Sequence, residues 1–261
     1  MRRIQTRNRL HCRASSRYPA SVRCLIPHQL LRQHGLLLLG LAASGAALAD
    51  PGYYLATPYS VPGQAALDVR YWSVKSPGQS ATLWPELGVR YGFSSRWTSE
   101  ILASFIGNSL GEQKLSSWNW QNSYLLTQGQ YPFDLAIHAQ LIRNVGYGNA
   151  LEIGPVLQTE IGTTQLNVNL VFEHSWVAGS ATELKYQWQA LQRLGPGLRV
   201  GLQGFGELGP WNHWSSNPSH RAGPVLRVSL WGHAELQAAY LWGKTYGSRG
   251  DMFSAQLLQP F

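Results

Sequence analysis

Sulfur-containing side chains are almost absent from this sequence of 261 residues, and their scarcity excludes two kinds of architecture. Cys12, Cys24 and Met1 all lie in the first 49 residues, so Met252 is the only sulfur-containing side chain beyond them. The remainder therefore has no disulfide framework, and it cannot hold a metal through cysteine. We predict no metal site and no cofactor.

Acidic residues are absent from the first 49 residues, which carry eight arginines and no lysine. The apolar stretch that follows the last of these arginines, at 35–48, is 14 residues long and too short to cross a bilayer as a helix. It runs into the pattern alanine-leucine-alanine immediately before Asp50. These features predict a secretory signal peptide at residues 1–49, cleaved after Ala49.

The predicted leader has an unusually long basic region. No methionine lies between Met1 and Met252, so an alternative translation start between Val22 and Leu30 stays open. Once the leader is removed, the remaining 212 residues carry 13 basic and 13 acidic side chains. The formal net charge of +8 therefore belongs to the leader, and we expect no nucleic-acid partner.

Helical periodicity is also almost absent, and alternation with a period of two residues replaces it throughout residues 50–261. Leu67, Val69 and Tyr71, for example, alternate with Asp68 and Arg70. About twelve such segments of about ten residues follow one another, which suits tilted strands that cross a membrane. We predict a single all-β domain, an antiparallel up-and-down transmembrane β-barrel of about 12 strands, with 10 or 14 as alternatives.

Alternation alone would also fit a soluble β-sandwich or a lipocalin-like barrel. Aromatic side chains favour the membrane, because 29 of them lie beyond the leader and many fall near predicted strand ends, such as Trp97, Trp188 and Trp242. The apolar face of the segments also carries almost no charge. We therefore expect the processed chain in the bacterial outer membrane of a Gram-negative cell, in contact with lipid and lipopolysaccharide.

The last segment fits this interpretation. Phe261 and Leu257 share its apolar face, as expected of a C-terminal insertion signal that the barrel-assembly machinery reads. Gln259, on the same face, departs from the usual apolar pattern.

If the apolar face meets lipid, the polar face lines the interior, and both signs of charge are mixed there. Such mixing argues against strong selection for ions of one sign. Two interpretations stay open, a salt-bridge network that satisfies the wall or a channel that passes or binds a small solute. The candidate lumen-lining residues are Asp68, Arg70, Glu86, Arg90, Glu100, Asp134, His138, Glu152, Glu173, Lys185, Arg199, Glu207, Arg221, Arg227, His233 and Glu235.

The loop "GELGPWNHWSSNPSHR" is the most distinctive irregular stretch. Trp211 and Trp214 flank His213 there, and the three are candidates for a gate over the lumen. The alternative is a loop that packs on the rim or on lipopolysaccharide. His213 and His220 are too few to argue for a metal.

Catalytic signatures are missing as well. No "GxSxG" motif occurs, and the adjacent His174 and Ser175 would point to opposite faces of a strand. We predict that the protein is not an enzyme, with an outer-membrane lipid hydrolase as the less favoured alternative.

The stretch "PELGVRYGFSSRWTSEILASF" resembles the strand–turn–strand unit of bacterial outer-membrane barrels assigned to a phenol-degradation pathway family. The resemblance is carried by Pro85, Glu86, Tyr91, Gly92, Arg96 and Trp97. It implies a porin-like passive channel or a binding barrel for small solutes, including hydrophobic or aromatic ones. It transfers no binding residues, because the matching positions build the hairpin, and a plugged structural barrel without transport is the alternative.

Overall fold

The computed structural model describes residues 54–245 and 248–261; the predicted signal peptide and its cleavage site lie outside the described residues. The strands are β1 Ala65–Lys75, β2 Thr82–Gly92, β3 Trp97–Ile106, β4 Lys114–Leu125, β5 Phe133–Asn144, β6 Gly148–Ile161, β7 Thr164–Ser175, β8 Thr182–Gly195, β9 Leu198–Pro210, β10 Ser219–Ser229, β11 Glu235–Thr245 and β12 Ser248–Pro260. Among these residues no helix is long and apolar enough to cross a membrane.

The strands form one closed antiparallel barrel. Each strand pairs with its neighbours in sequence, and β1 pairs with β12 to close the ring, with Ala66 opposite Pro260 and Lys75 opposite Asp251. Closure leaves no free edge, which a sheet in hydrocarbon requires. The predicted all-β fold and the count of 12 strands are confirmed.

The two ends of the barrel are named here by the chain termini. The terminal rim is the end where β1 begins and β12 finishes, and the far rim is the opposite end. Between strands, the terminal rim has connections of two to seven residues and the far rim of up to eight. The contrast in length is smaller than the sequence suggests, because several strands extend into the expected loops.

The outward face of the barrel is apolar. Leu87, Val89 and Ile101 lie on adjacent strands with roughly half of each side chain exposed, while the alternate side chains of the same strands are buried inside. An arginine or lysine on such a surface at the bilayer midplane would cost about 2–4 kcal/mol. The alternation of the sequence thus becomes an apolar band suited to lipid.

Aromatic side chains mark the terminal rim on the outside. Phe93 stacks on Trp97 at 4.6 Å between ring centroids and meets Tyr91 edge to face at 4.9 Å. Amphipathic rings at this height are typical of a membrane interface.

One predicted strand residue lies elsewhere. His233 ends the short 3-10 turn Trp231–His233 between β10 and β11, where it is exposed with a positive φ of 64°. The tight connection takes up the residues that period-two counting assigned to the start of β11, so His233 is not on the inward face of a strand.

Candidate functional site in the barrel lumen

Most of the polar residues singled out in the sequence are brought together inside the barrel. The buried members are Asp68, Arg70, Glu86, Glu100, His138, Glu152, Glu173 and Arg221. The half-buried members are Arg90, Asp134, Lys185, Arg199, Glu207, Arg227 and Glu235. They fall into three groups at different places in the lumen, and one segment of the chain lies beside the first group.

The first group is an ion-pair cluster on β1, β2 and β3. Arg70 Nη2 lies 2.9 Å from both Asp68 Oδ2 and Glu100 Oε2. Arg90 Nη2 contacts the same two oxygens at 3.0 and 3.1 Å, and Glu86 lies 3.8 Å from Arg70 Nη1. Alternation along β1 and direct pairing of Arg70 with Glu86 and of Arg90 with Glu100 build this cluster from local sequence. Three carboxylates therefore hold two guanidinium groups.

The second group lies toward the far rim on β6, β7 and β8. Lys185 Nζ is 3.0 Å from Glu152 Oε1 and also bonds Glu173. Glu152 and Glu173 are direct cross-strand partners, so the single lysine relieves the repulsion between them.

The third group is an arginine ladder near the terminal rim, formed by Arg193, Arg199 and Arg227. Arg199 lies directly opposite Arg193 on β8 and opposite Arg227 on β10. The tight turn at Gly197, which has a φ of 69°, returns the chain so that these arginines face the same interior. Two cavities of about 390 and 440 Å³ adjoin the ladder.

Interior amides form a belt that sequence reasoning missed. Gln189 Nε2 donates to Gln203 at 2.9 Å and to Gln237 at 3.1 Å, and Arg227 donates to Gln189 at 3.0 Å. The alternation of the sequence does contain this signal, because these glutamines occupy the same alternate positions of their strands as the charged residues do.

The segment 54–64, which precedes β1, enters the lumen. The Tyr54 hydroxyl hydrogen-bonds His138 Nε2 at 2.9 Å and Gln140, while its ring lies 4.6 Å from the Arg70 guanidinium carbon. Further along, the carbonyl oxygen of Ala56 accepts a bond from Asn169 Nδ2 at 3.1 Å. The segment thus contacts the walls formed by β1, β5 and β7.

The same segment leaves the lumen at the terminal rim. The Tyr59 hydroxyl donates to Asp134 at 2.7 Å, and the backbone of Gly63 donates to the Gly92 carbonyl at 2.8 Å. Burial, followed by the bond to Asp134, raises the pKa of Tyr59 to about 12, so Tyr59 stays a hydrogen-bond donor at neutral pH. No alternating pattern marks this segment, which is why the sequence did not reveal its place.

An aromatic contact crosses the lumen toward the far rim. Trp72 on β1 and Phe205 on β9 meet at 6.3 Å between centroids, although three strands separate β1 from β9 around the ring. Trp84, Leu241 and Met252 belong to the same buried apolar cluster. An apolar cluster therefore lies inside the otherwise polar lumen, a feature that the even spread of charged residues along the sequence did not predict.

The candidate gate does not belong to this apolar cluster. Trp211, His213 and Trp214 are exposed in the connection between β9 and β10 at the far rim. The backbone of Trp211 donates to the Thr182 carbonyl at 2.9 Å, which ties the start of the connection to β8.

The C-terminal Phe261 lies at the terminal rim. It is exposed, and its backbone N–H donates to the carbonyl oxygen of Ala65 at 2.9 Å.

Among the described residues, one serine–histidine pair lies in the lumen. Ser123 Oγ is 3.0 Å from His138 Nδ1, and the other ring nitrogen of His138 is engaged by Tyr54. No carboxylate in the part of the chain that the structure describes bonds this ring, and His138 is 3% exposed, so the pair has neither the third member nor the access that acyl hydrolysis requires. The exposed His174 bonds Thr182 at 3.1 Å rather than a serine.

No protein-family profile and no curated protein matches the sequence. The NanC porin aligns with a TM-score of 0.56 at 10% identity, over 73% of this chain and 98% of that one. An outer membrane channel from Pseudomonas putida F1 aligns with a TM-score of 0.57 at 12% identity, over 82% of this chain and all of the other. The fold is therefore that of the outer-membrane channel barrels.

At these identities the likeness shows the fold alone. The resemblance of the hairpin at Pro85 to the phenol-degradation family stays a prediction, since no family profile matches.

Proposed function

We propose that this protein is a passive outer-membrane channel for small solutes. The observation that carries the proposal is a closed barrel with an apolar outside and a polar vestibule of about 440 Å³ inside its terminal rim. A lumen lined by ion pairs and amides suits water and polar solutes, whereas a soluble barrel would bury its apolar face instead.

We infer that the resistance of the channel resides at two places. The segment 54–64 occupies the part of the lumen beside β1 and β5, and the contact between Trp72 and Phe205 narrows the path beyond it. Tyr54 belongs to both, because it lies in one apolar cluster with these rings. Solutes that pass between such rings would combine a polar part with an aromatic or hydrophobic part, in keeping with the resemblance in the sequence.

Single-channel conductance in planar bilayers tests the proposal. The full chain should give unitary steps, and Tyr54→Ala combined with Tyr59→Ala should give larger steps, because the segment loses its bonds to His138 and Asp134. Trp72→Ala should enlarge them as well. Tyr131→Ala is the control, since Tyr131 is exposed in a turn of the terminal rim and stacks only on Phe133.

The contact across the lumen supports a second candidate, a plugged structural barrel without transport. This candidate predicts silent bilayers for the full chain and for all of the variants above, although heat-modifiable migration shows that they are folded. Such a result would end the channel proposal.

We further propose that the chain reaches the outer membrane by signal-peptide cleavage before Asp50 and by recognition of its last strand. Support comes from Leu257, which alternates on β12 with the buried side of the strand and pairs with Val69 of β1, and from Phe261, which is exposed directly after the strand. Replacement of Phe261 by Ser should slow assembly in cells, measured as the unfolded fraction on unheated gels, while Ser254→Ala on the inward face should not.

A further inference from the structure

The arginine ladder is an unusual arrangement for a β-sheet. Arg193, Arg199 and Arg227 occupy directly opposed positions on three adjacent strands. Directly opposed side chains have Cβ atoms about 4.5–5.5 Å apart, and like charges in such positions repel each other. A wall that keeps three of them together needs negative charge nearby.

The carboxylates of the described residues supply only part of that charge. Glu160 Oε1 is 3.0 Å from Arg199 Nη2, with its other oxygen 3.8 Å from Arg193 Nη2. Glu235 Oε1 is 3.4 Å from Arg227 Nε. Two carboxylates therefore face three guanidinium groups.

Hydrogen bonding is incomplete as well. Arg199 Nη1 is buried and has no hydrogen-bond partner among the described residues. Arg70 Nη1, in the ion-pair cluster across the lumen, also has no hydrogen-bond partner among the described residues, but three carboxylates lie within 3.8 Å of the Arg70 guanidinium group. The ladder thus differs from the ion-pair cluster in its charge, because it has fewer carboxylates than guanidinium groups.

Space for a ligand lies beside these donors. The two cavities at the terminal rim share Gln165, Arg199, Arg227 and Glu235 in their walls, and one of them extends to the segment 54–64 through Leu55 and Thr57. Cavities of a few hundred cubic ångströms hold small molecules. In the larger cavity, guanidinium groups, amides and the carboxylates of Glu160 and Glu235 on the strands face Leu55, Thr57 and Tyr59 of the segment.

We propose that this vestibule binds the carboxylate of a small organic anion on Arg199 and Arg227. The inference rests on the proposed channel function and names the class of its solute. A planar carboxylate matches the fork of a guanidinium group, and charge-assisted bonds of this kind are the strong ones. The anion would supply a third negative charge, because Glu160 and Glu235 balance only two of the three arginines.

Binding to the full-length protein, folded in detergent micelles, tests the proposal without any need for conduction. Equilibrium dialysis compares benzoate with benzamide, which has nearly the same shape and no charge. We expect benzoate to bind at least about tenfold more tightly, and Arg199→Gln or Arg227→Gln to remove most of that difference. Raised salt should weaken benzoate selectively.

Two further variants separate a binding role from a structural one. Arg96→Gln is the matched control, because Arg96 lies on the same rim but bonds Gln128 instead of lining the vestibule. Glu235→Gln removes a carboxylate that competes for Arg227 and should tighten benzoate binding, which damage to the fold would not do.

Equal affinity for benzoate and benzamide would overturn the proposal, as would an equal loss in Arg96→Gln and Arg199→Gln. The outcome is independent of the channel function. Benzoate binding by a protein that conducts no current in bilayers would support the carboxylate site and contradict the channel function. Conduction by a protein that does not prefer benzoate over benzamide would support the channel function and contradict the carboxylate site.

Discussion

The two sides of the lumen near the terminal rim differ in how many carboxylates surround their arginines. On β1 to β3, Arg70 and Arg90 are held by carboxylates, and the segment 54–64 lies against them. On β8 to β10, the arginine ladder faces cavities and has fewer carboxylates than guanidinium groups. The segment 54–64 packs against the wall where carboxylates neutralise the arginines. A cavity adjoins the other wall, where the arginines outnumber the carboxylates.

The ion-pair cluster should contribute mainly to the stability of the fold, and the arginine ladder mainly to ligand binding. A buried charge with all of its partners in place is costly to disturb, because removal of one member leaves the others uncompensated. The half-exposed Arg193 contributes little to folding. Arg199 and Arg227 are only 19% and 14% exposed, but they line a cavity that a ligand can occupy. The same residue type should therefore respond very differently to substitution on the two walls.

The largest effect is expected at Arg70. Arg70→Met would leave Asp68, Glu86 and Glu100 together with Arg90 alone, and we expect a loss of about 3–5 kcal/mol in the free energy of unfolding. Urea unfolding in micelles, followed by tryptophan fluorescence, measures it. Arg193→Met is the matched control; its side chain is 50% exposed with one ion pair at 3.8 Å, so about 0–1 kcal/mol is expected. Equal losses in the two variants would refute the contrast.

A smaller effect is expected at Tyr54. Tyr54→Phe keeps the ring over Arg70 but removes the hydroxyl bonded to His138 and Gln140, which should weaken docking of the segment by about 1–3 kcal/mol. A thiol introduced as Ser60→Cys would report release of the segment by faster labelling. In the same background, Tyr131→Phe should leave the labelling rate unchanged. Unchanged labelling in Tyr54→Phe would show that the hydroxyl does not hold the segment.

The barrel itself could be predicted from the sequence because its physical cause repeats at every strand. One face of each strand meets hydrocarbon, so the period of two recurs in all twelve strands, and Leu87, Val89 and Ile101 show it as clearly as any. Register and closure then follow from pairing between successive strands. His233 was misplaced because a tight turn has no period.

The lumen was harder to predict, because contacts across it join residues far apart in the chain. The parity of Arg70 and Arg199 is readable, but nothing local shows that one has three carboxylates and the other faces a cavity. Trp72 and Phe205 meet across the ring although 132 positions separate them, and Tyr54 belongs to a segment without alternation. Such contacts depend on the diameter and stagger of the barrel, which a single sequence does not state.

The smallest effect expected concerns ion selectivity, where the two walls act together. The ion-pair cluster has one more carboxylate than guanidinium groups, and the ladder has one more guanidinium group than carboxylates, so their fields largely cancel in the lumen as a whole. In a dilute potassium chloride gradient, Arg199→Gln should shift the zero-current potential toward cation preference, and Glu235→Gln should shift it toward anions. Both shifts should shrink near 1 M salt, where screening acts within about 3 Å. A shift of the same sign in both variants would mean that the ladder does not set the field of the vestibule.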